Sequence, residues 1–534
     1  MDSYDRAARP GWYQRHFSRR KLFARAAAVS AGAVVGSQLP TVAHAAPEGG
    51  LHGGELRGMY LTSKNRLAEG RFGLMFKRLP AFAPPDTALD ELASTMVEPD
   101  SSDAFLATKG KNLFAGFTFI GQFIDHDITL DTTALGLQQE DPDATTNFRT
   151  PRYDLDSVYG RGPVGDDLKF YDSGDRDKLL LVKNDYGVLD MARDGDGRAI
   201  IPDRRNDENL IVVQFHKAVA QFHNAIVDYM RAQGMRKEWV FEAARRLTRW
   251  HYQWAVIHDF LPRFVGEELV GTSGTVYKEV AGKSPVITLS YYKPTNKDGR
   301  PFMPVEFAVA AYRFGHSLIR PFYVLNDSTL KRGGVPVFGT DQTKLAFNLN
   351  GGRPIPVKPD SDPTKDLNLV MEWKNILPNL GNPDARPPRK IDSLLSIPLS
   401  NLPGSAVPPP DPTVQLAVRN NRRGKQVGLP SGQQVAKAMR VTALSNTQLG
   451  LTDTRLGGEA PLWFYILKEA ELLHNGQQLG PVGGRIMAET LVGLLQRDPN
   501  SYLYLDPSWK PQLPSEFGAA KFAFSDLLKF AGAA

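Results

Sequence analysis

The chain has 534 residues, with 64 Lys and Arg against 58 Asp and Glu, a formal charge of +6, and 42% hydrophobic residues, enough for a large core. It contains no cysteine, which excludes disulfides, thiolate metal sites, cysteine nucleophiles and a thiolate ligand to iron. Beyond the first 45 residues no stretch is apolar enough to span a bilayer. No repeat and no break in composition divides the chain, so a single large, mostly α domain over residues 46–534 is expected.

The N-terminus reads as an export signal. Ser18-Arg19-Arg20-Lys21-Leu22-Phe23 is a twin-arginine pattern, a weakly apolar run from Ala26 to Val35 follows, and Ala43-His44-Ala45 offers a cleavage site. The alternative is a basic tail with an Ala-rich helix. Cleavage after Ala45 would leave 57 basic and 56 acidic residues, a charge of +1. The basicity then belongs to the leader and gives no argument for nucleic-acid binding. The twin-arginine route carries folded proteins, which suits a cofactor inserted before export to the periplasm or beyond.

Residues 46–105 are irregular, punctuated by Gly, Pro and Asp. An apolar run, Phe117 to Ile120, then leads into Gly121-Gln122-Phe123-Ile124-Asp125-His126-Asp127. At about 100° per residue Gln122, Asp125 and His126 share one helical face, and Asp127 looks elsewhere. One turn thus presents a base, an amide and a carboxylate to one place and a second carboxylate to another. Buried carboxylates require pairing, coordination or covalent use.

The next constellation is Thr150-Pro151-Arg152-Tyr153-Asp154-Leu155-Asp156, ending in Val158-Tyr159-Gly160. Thr150, Asp154 and Asp156 supply oxygens close in sequence, the ligand chemistry that calcium takes, though the spacing is not an EF-hand and a solvated turn stays open. Asp203-Arg204-Arg205-Asn206-Asp207-Glu208-Asn209 follows, just before a helical pattern of Leu210, Val213, Phe215, Val219, Phe222, Ile226 and Met230. A second amphipathic run covers about 237–265, with Trp250, Trp254, Ile257 and Phe260. His216 and His223, and His251 and His258, are seven apart; no third ligand is evident, and they read as packing or hydrogen-bonding residues. A helix is expected before Pro321, in Tyr312-Arg313-Phe314-Gly315-His316, where Gly315 leaves room for a flat group. Asn420 to Pro430 forms a polar loop, and further helices are expected over about 459–475 and 482–496. Strand-like alternation is scarce, and Pro- and Gly-rich loops fall at 292–304, 350–363 and 396–412.

Taken in order, these runs resemble the animal-type haem peroxidases of the peroxidase-cyclooxygenase superfamily, over about residues 105–500. The resemblance implies a mostly α fold holding haem b and Ca2+. It makes His126 the distal base, Gln122 its neighbour over the iron, and Arg205 the catalytic cation, with Arg204 adjacent in register. His316 becomes the iron ligand, Asn420 the acceptor of its outer N–H, and Arg313 a haem-propionate partner. Asp125 and Glu208 match the carboxylates that can be esterified to haem. Asn209 stands where some members carry a sulfonium-forming Met, so no such link is expected. Asp127, Thr150, Asp154 and Asp156 match side-chain calcium ligands, and Arg152 the position that gives a backbone carbonyl. Lys425 and Gln426 depart from the usual Arg-Asp, which puts a local salt bridge in doubt.

By the same resemblance the chain is a peroxidase. It would reduce H2O2 through a ferryl intermediate and oxidise a halide, thiocyanate or small organic donor such as a phenol. The superfamily's fatty-acid dioxygenases carry a Tyr three residues before the proximal His; here that position is Arg313, and Tyr312 is four before. A cyclooxygenase-like dioxygenase and a haem-free, calcium-stabilised adhesion or matrix protein are the alternatives. Neither a nucleic-acid partner nor a membrane span is expected.

Overall fold

The structure is a computed structural model that describes residues 72–109, 112–129, 151–294, 301–337, 355, 357–358, 367–402, 412–515, 518 and 520–534. The leader read at residues 1–45 and the candidate ligand Thr150 lie outside these.

The helices that build the site are α1 (Asp86–Ser94), α2 (Gly116–Ile128), α3 (Leu210–Ala232), α4 (Lys237–Ala255), α5 (Leu416–Gln426), α6 (Leu462–His474), α7 (Pro481–Arg497) and α8 (Phe524–Phe530). Asn209 starts α3: its Oδ1 accepts from the backbone N–H of Ile211 at 2.8 Å and of Val212 at 3.3 Å. Asn209 is therefore committed to capping. The apolar stripe read from the sequence is buried along all of α3. Gly234, at φ +75°, turns the chain so that α4 packs back along α3. Helices α2 and α8 lie against α3, and α6 packs on α7. Phe123 of α2 meets Phe215 of α3 edge-on at 5.1 Å.

The run expected over 237–265 is interrupted. After α4 comes a π turn, Val256–Phe260, and then a short helix, Leu261–Val265. Pro262 explains the break, since it has no N–H to return to the His258 carbonyl four residues back. The helix expected before Pro321 is corrected more strongly. Glu306–Ala310 forms a π turn and Ala311–His316 a 3-10 segment, so His316 does not sit on an α-helix. The Ala308 carbonyl is taken up by Nε of Arg313 at 3.2 Å. Buried Glu306 anchors this segment by accepting the backbone N–H groups of Met75 and Phe76, each at 2.9 Å.

Strands are short and peripheral. Among the described residues the largest sheet has three strands, Val270–Gly271 parallel to Tyr277–Lys278, and Tyr277–Lys278 antiparallel to Val286–Ile287. The fold is thus mostly α, with one large apolar cluster shared by all eight helices. Among the described residues no helix is long and apolar enough to cross a membrane.

Candidate active site

Eleven of the thirteen residues of α2 are buried, and the other two, Gln122 and Asp125, are half-buried. That is the face expected from helical spacing, so α2 is a packed helix with one polar stripe. His126 lies at the edge of this stripe, and its Nδ1 is 2.8 Å from Oδ1 of Asn206. An amide oxygen only accepts, so Nδ1 carries the proton and Nε2 is left as the basic nitrogen. Asn206 in turn donates through Nδ2 to Nδ1 of His216 at 3.0 Å. Burial pushes His216 down to about 4, so it is neutral and able to accept.

Arg205 comes from the turn Arg204–Asp207 that precedes α3. It is buried, whereas Arg204 is half-buried. Its Nη2 donates to the His126 carbonyl at 2.8 Å and pairs with Asp203 Oδ2 at 2.8 Å. Arg205 thereby ties the α3 turn to the α2 backbone at the base. Burial raises the Asp125 carboxyl above the ordinary carboxylate range, against the opposing pull of Arg205, the Thr129 hydroxyl at 2.8 Å and Arg313. Glu208 is half-buried at the end of the same turn as Arg205.

Asp127 faces away, as its spacing requires. It accepts the N–H of Leu155 at 3.1 Å and of Ser157 at 3.4 Å. Carboxylate oxygens of Asp127, Asp154 and Asp156 lie within 4.8 Å of one another. Burial first, and then the charge of Asp156, pushes the Asp154 carboxyl up to about 6. Three carboxylates this close are unfavourable without a cation, and hard oxygen donors suit calcium. The loop is held in a strained form: Leu155 sits at φ +54°, a conformation costing an L-residue roughly 1–2 kcal/mol. Helix α4 clamps it from outside, Arg249 donating to the Asp154 carbonyl at 2.5 Å and Gln253 to the Tyr153 carbonyl at 2.9 Å. The Arg152 guanidinium turns toward Asp498, 4.0 Å away, leaving its backbone as the part that could serve an ion.

On the opposite wall Arg313, Gly315 and His316 are half-buried, and a Cβ built on Gly315 would meet nothing within 4 Å. The wall is joined to α2 by the Tyr312 hydroxyl, which donates to the Gly121 carbonyl at 2.9 Å. Asn420 of α5 bridges the two functional residues: Arg313 Nη1 donates to its Oδ1 at 2.6 Å, and its Nδ2 is 2.8 Å from Nδ1 of His316. The expected Asn420–His316 contact is therefore present, but through the amide nitrogen. In this orientation Asn420 donates, which leaves the imidazole proton on Nε2. Iron ligation requires Nε2 bare, so ligation calls for the amide to turn over as Arg313 lets go of Oδ1. Burial, and the charge of Arg313, hold His316 at about 3, in its neutral form. Lys425 pairs with Asp86 at 2.7 Å, so an ion pair to α1 stands where the resemblance left a salt bridge in doubt.

These features fit a haem. Polar walls on α2 and on the 311–316 segment keep accessible surface in an otherwise buried centre. Each offers an imidazole oriented by an asparagine, and Gly315 leaves space beside His316. Sequence reasoning missed Asn206 and His216. Asn206 stands next to Arg205 but meets His126 across 80 residues, and His216 read as one more packing histidine.

A sequence model of the family described as Animal haem peroxidase matches residues 136–446, more than half of the chain. Asp154, Asp156, Arg205, His316 and Asn420 fall inside that span, and the Gln122–Asp127 run precedes it. A peroxidase-like protein of Margaritifera margaritifera is 28% identical over 139 residues, 25% of this chain but only 16% of that relative. Among solved structures, peroxidase A of Dictyostelium discoideum superposes with a TM-score of 0.52 at 15% identity, covering 87% of this chain and 92% of that one. The fatty acid alpha-dioxygenase of Arabidopsis thaliana gives 0.53 at 15%, covering 86% and 77%, and that of Oryza sativa 0.53 at 14%, covering 86% and 81%. At such identities these structures share the fold alone. From the family match and the architecture together, the chain belongs to the animal haem peroxidase family.

Proposed function

We propose that residues 46–534 form an exported haem peroxidase that reduces H2O2 and oxidises halide, thiocyanate or small phenolic donors. The observation that carries this reading is the Asn206–His126 bond, which fixes a proton on Nδ1 of a buried imidazole and so assigns Nε2 as its basic nitrogen. Bound haem would supply the redox chemistry; the protein positions and tunes it. His316 would hold the iron, with Asn420 fixing its ring and Arg313 passing from Asn420 to a propionate. His126 takes a proton from peroxide and returns it to the leaving oxygen. Gln122 orients the bound peroxide beside it, and Arg205 stabilises the charge that develops as the O–O bond breaks. Asp127, Asp154, Asp156, Thr150 and the Arg152 carbonyl would take Ca2+, and Asp125 and Glu208 are the carboxylates available for ester links to haem.

Arg313 favours this reading over a fatty-acid dioxygenase. It occupies the position three before His316 and is bonded to Asn420, whereas the Tyr312 hydroxyl is bonded to the Gly121 carbonyl. The test is a steady-state assay of haem-loaded protein with H2O2 against bromide, iodide, thiocyanate, phenols and linoleate. Peroxide-dependent oxidation of a donor from the first four groups is expected. Oxygenation of linoleate with none of these oxidised would replace the peroxidase reading with the dioxygenase one.

A further inference from the structure

The π turn Val256–Phe260 has two sides. On one, Phe260 packs against Tyr312 at 6.5 Å and would touch a Cβ at Gly121 at 3.3 Å, so it abuts the active-site walls. On the other, His258 stacks on Trp254, rings 3.6 Å apart and 10° from parallel. Nδ1 of His258 donates to the Trp254 carbonyl at 3.0 Å, so the neutral ring keeps Nε2 as an acceptor. The hydroxyl of buried Tyr277 donates to that Nε2 at 3.2 Å, and Oε1 of the partly exposed Glu279 lies 3.3 Å from it. Phenol, base and carboxylate thus follow one another from interior to surface.

Most buried tyrosines here are bonded differently. Tyr153, Tyr171, Tyr292 and Tyr312 donate to backbone carbonyls, which cannot take a proton. Tyr159 does donate to an imidazole, Nδ1 of His223 at 2.9 Å. Its ring, however, lies against Phe241 and under the Arg249 guanidinium, a cation that opposes loss of an electron. Tyr277 instead reaches a group of oxidisable rings through His258. Trp254 lies 5.7 Å from Tyr502 and 6.0 Å from Trp509, and Trp509 lies 5.3 Å from Trp250, which is half-buried. Lys510 over Trp254 and Arg246 over Trp250 disfavour a resting positive charge on those two indoles.

We propose that Tyr277 is a redox-active tyrosine, which loses an electron toward the active site through Trp254 and the π turn while its proton passes to Nε2 of His258. An oxidised phenol is a far stronger acid than an imidazolium, so the proton moves even though burial holds His258 at about 3. Glu279 then stabilises the imidazolium. The oxidant is H2O2, acting at the haem, so the proposal rests on the peroxidase reading for its physiological source. The O–O bond breaks and two waters form from two electrons and two protons. Tyr277 supplies one electron and leaves its proton on His258; a one-electron donor such as a phenol supplies the other electron, and both protons consumed come from solvent. A second donor later returns Tyr277 to the phenol, and His258 gives the proton back.

The test uses the full chain carrying ring-deuterated tyrosine, loaded with haem, mixed with one equivalent of H2O2 and frozen for electron paramagnetic resonance. A tyrosyl signal is expected, with most of it lost in Tyr277→Phe and in His258→Gln, and none lost in Tyr159→Phe. The Soret change in the same samples reports whether peroxide has reacted. A second arm oxidises haem-free protein with a photogenerated ruthenium(III) complex, where the same tyrosyl signal should form and again depend on Tyr277. A silent Soret band with a Tyr277-dependent signal in the second arm would sink the peroxidase reading and keep the redox tyrosine. A wild-type tyrosyl signal that forms in either arm and is unchanged by Tyr277→Phe overturns the proposal, as does the absence of any tyrosyl signal in the second arm.

Discussion

Asn206 sets the orientation of His126, accepting from its Nδ1 at 2.8 Å while donating to His216 at 3.0 Å. A positioning group of this kind acts without touching substrate. Asn206→Leu should keep the fold of the α3 turn but leave the His126 ring without its anchor. Loss of such an orienting partner commonly costs about ten- to a hundredfold. Rapid mixing of haem-loaded variant with H2O2 should show that drop, with haem affinity unchanged. A wild-type rate constant would mean that the tautomer is fixed by something else.

The three carboxylates around Asp127 should make stability depend on calcium. A saturating ion at a hundred times its dissociation constant adds about 2.7 kcal/mol. Melting curves with calcium and with a chelator should therefore separate for the wild type. They should coincide for Asp154→Asn, because the variant loses one of the clustered donors. Coincident curves for both proteins would reduce the cluster to a strained acidic turn.

Asp125 and Glu208 bear on how firmly haem is held. After turnover with peroxide, acid–organic extraction should leave part of the haem on the protein. Asp125→Val and Glu208→Gln should each release more, with absorption moving toward that of free haem b. Complete extraction from peroxide-treated wild type would show that both carboxylates are only polar neighbours.

Glu469 gives a pH test remote from the site. It is buried, accepts the N–H groups of Val482 and Gly483 at 2.9 and 3.3 Å, and burial pushes it from its ordinary 4.5 up to about 8. Between these values the folded state keeps a proton that the unfolded chain has shed, so stability falls as pH rises and the loss is complete above 8. At pH 7 the cost is about 3 kcal/mol. Glu469→Gln removes this dependence, so its melting temperature relative to wild type should climb from pH 4.5 to 8.5. A pH-independent difference would mean that the carboxylate is ionised in the folded protein.

What the sequence made legible was whatever lies within one or two helical turns. Gln122, Asp125 and His126 share a face because spacing dictates it, and Asp127 departs from that face for the same reason. The α3 stripe was equally plain. The 311–316 segment was misjudged because its hydrogen bonds come from elsewhere: Glu306 holds Met75 and Phe76 more than 200 residues away, and Arg313 fills the Ala308 carbonyl. Local periodicity carries no trace of such partners. Asn206 was hidden because an asparagine in a charged turn looks like any cap until tertiary packing brings α2 against it.

The step from His126 to Asp127 has a consequence for what α2 can tolerate. One residue of advance, about 100° of rotation, separates the compartment that handles protons from the one that collects carboxylates. A single residue inserted between Gln122 and Asp125 would shift the reading frame of the helix by that angle. It would carry a carboxylate to the place of the base and swing the imidazole into the acidic loop. The helix behaves like a key whose teeth are cut on two edges: its length can change only ahead of Gly116 or beyond Ile128, where neither edge is in the lock.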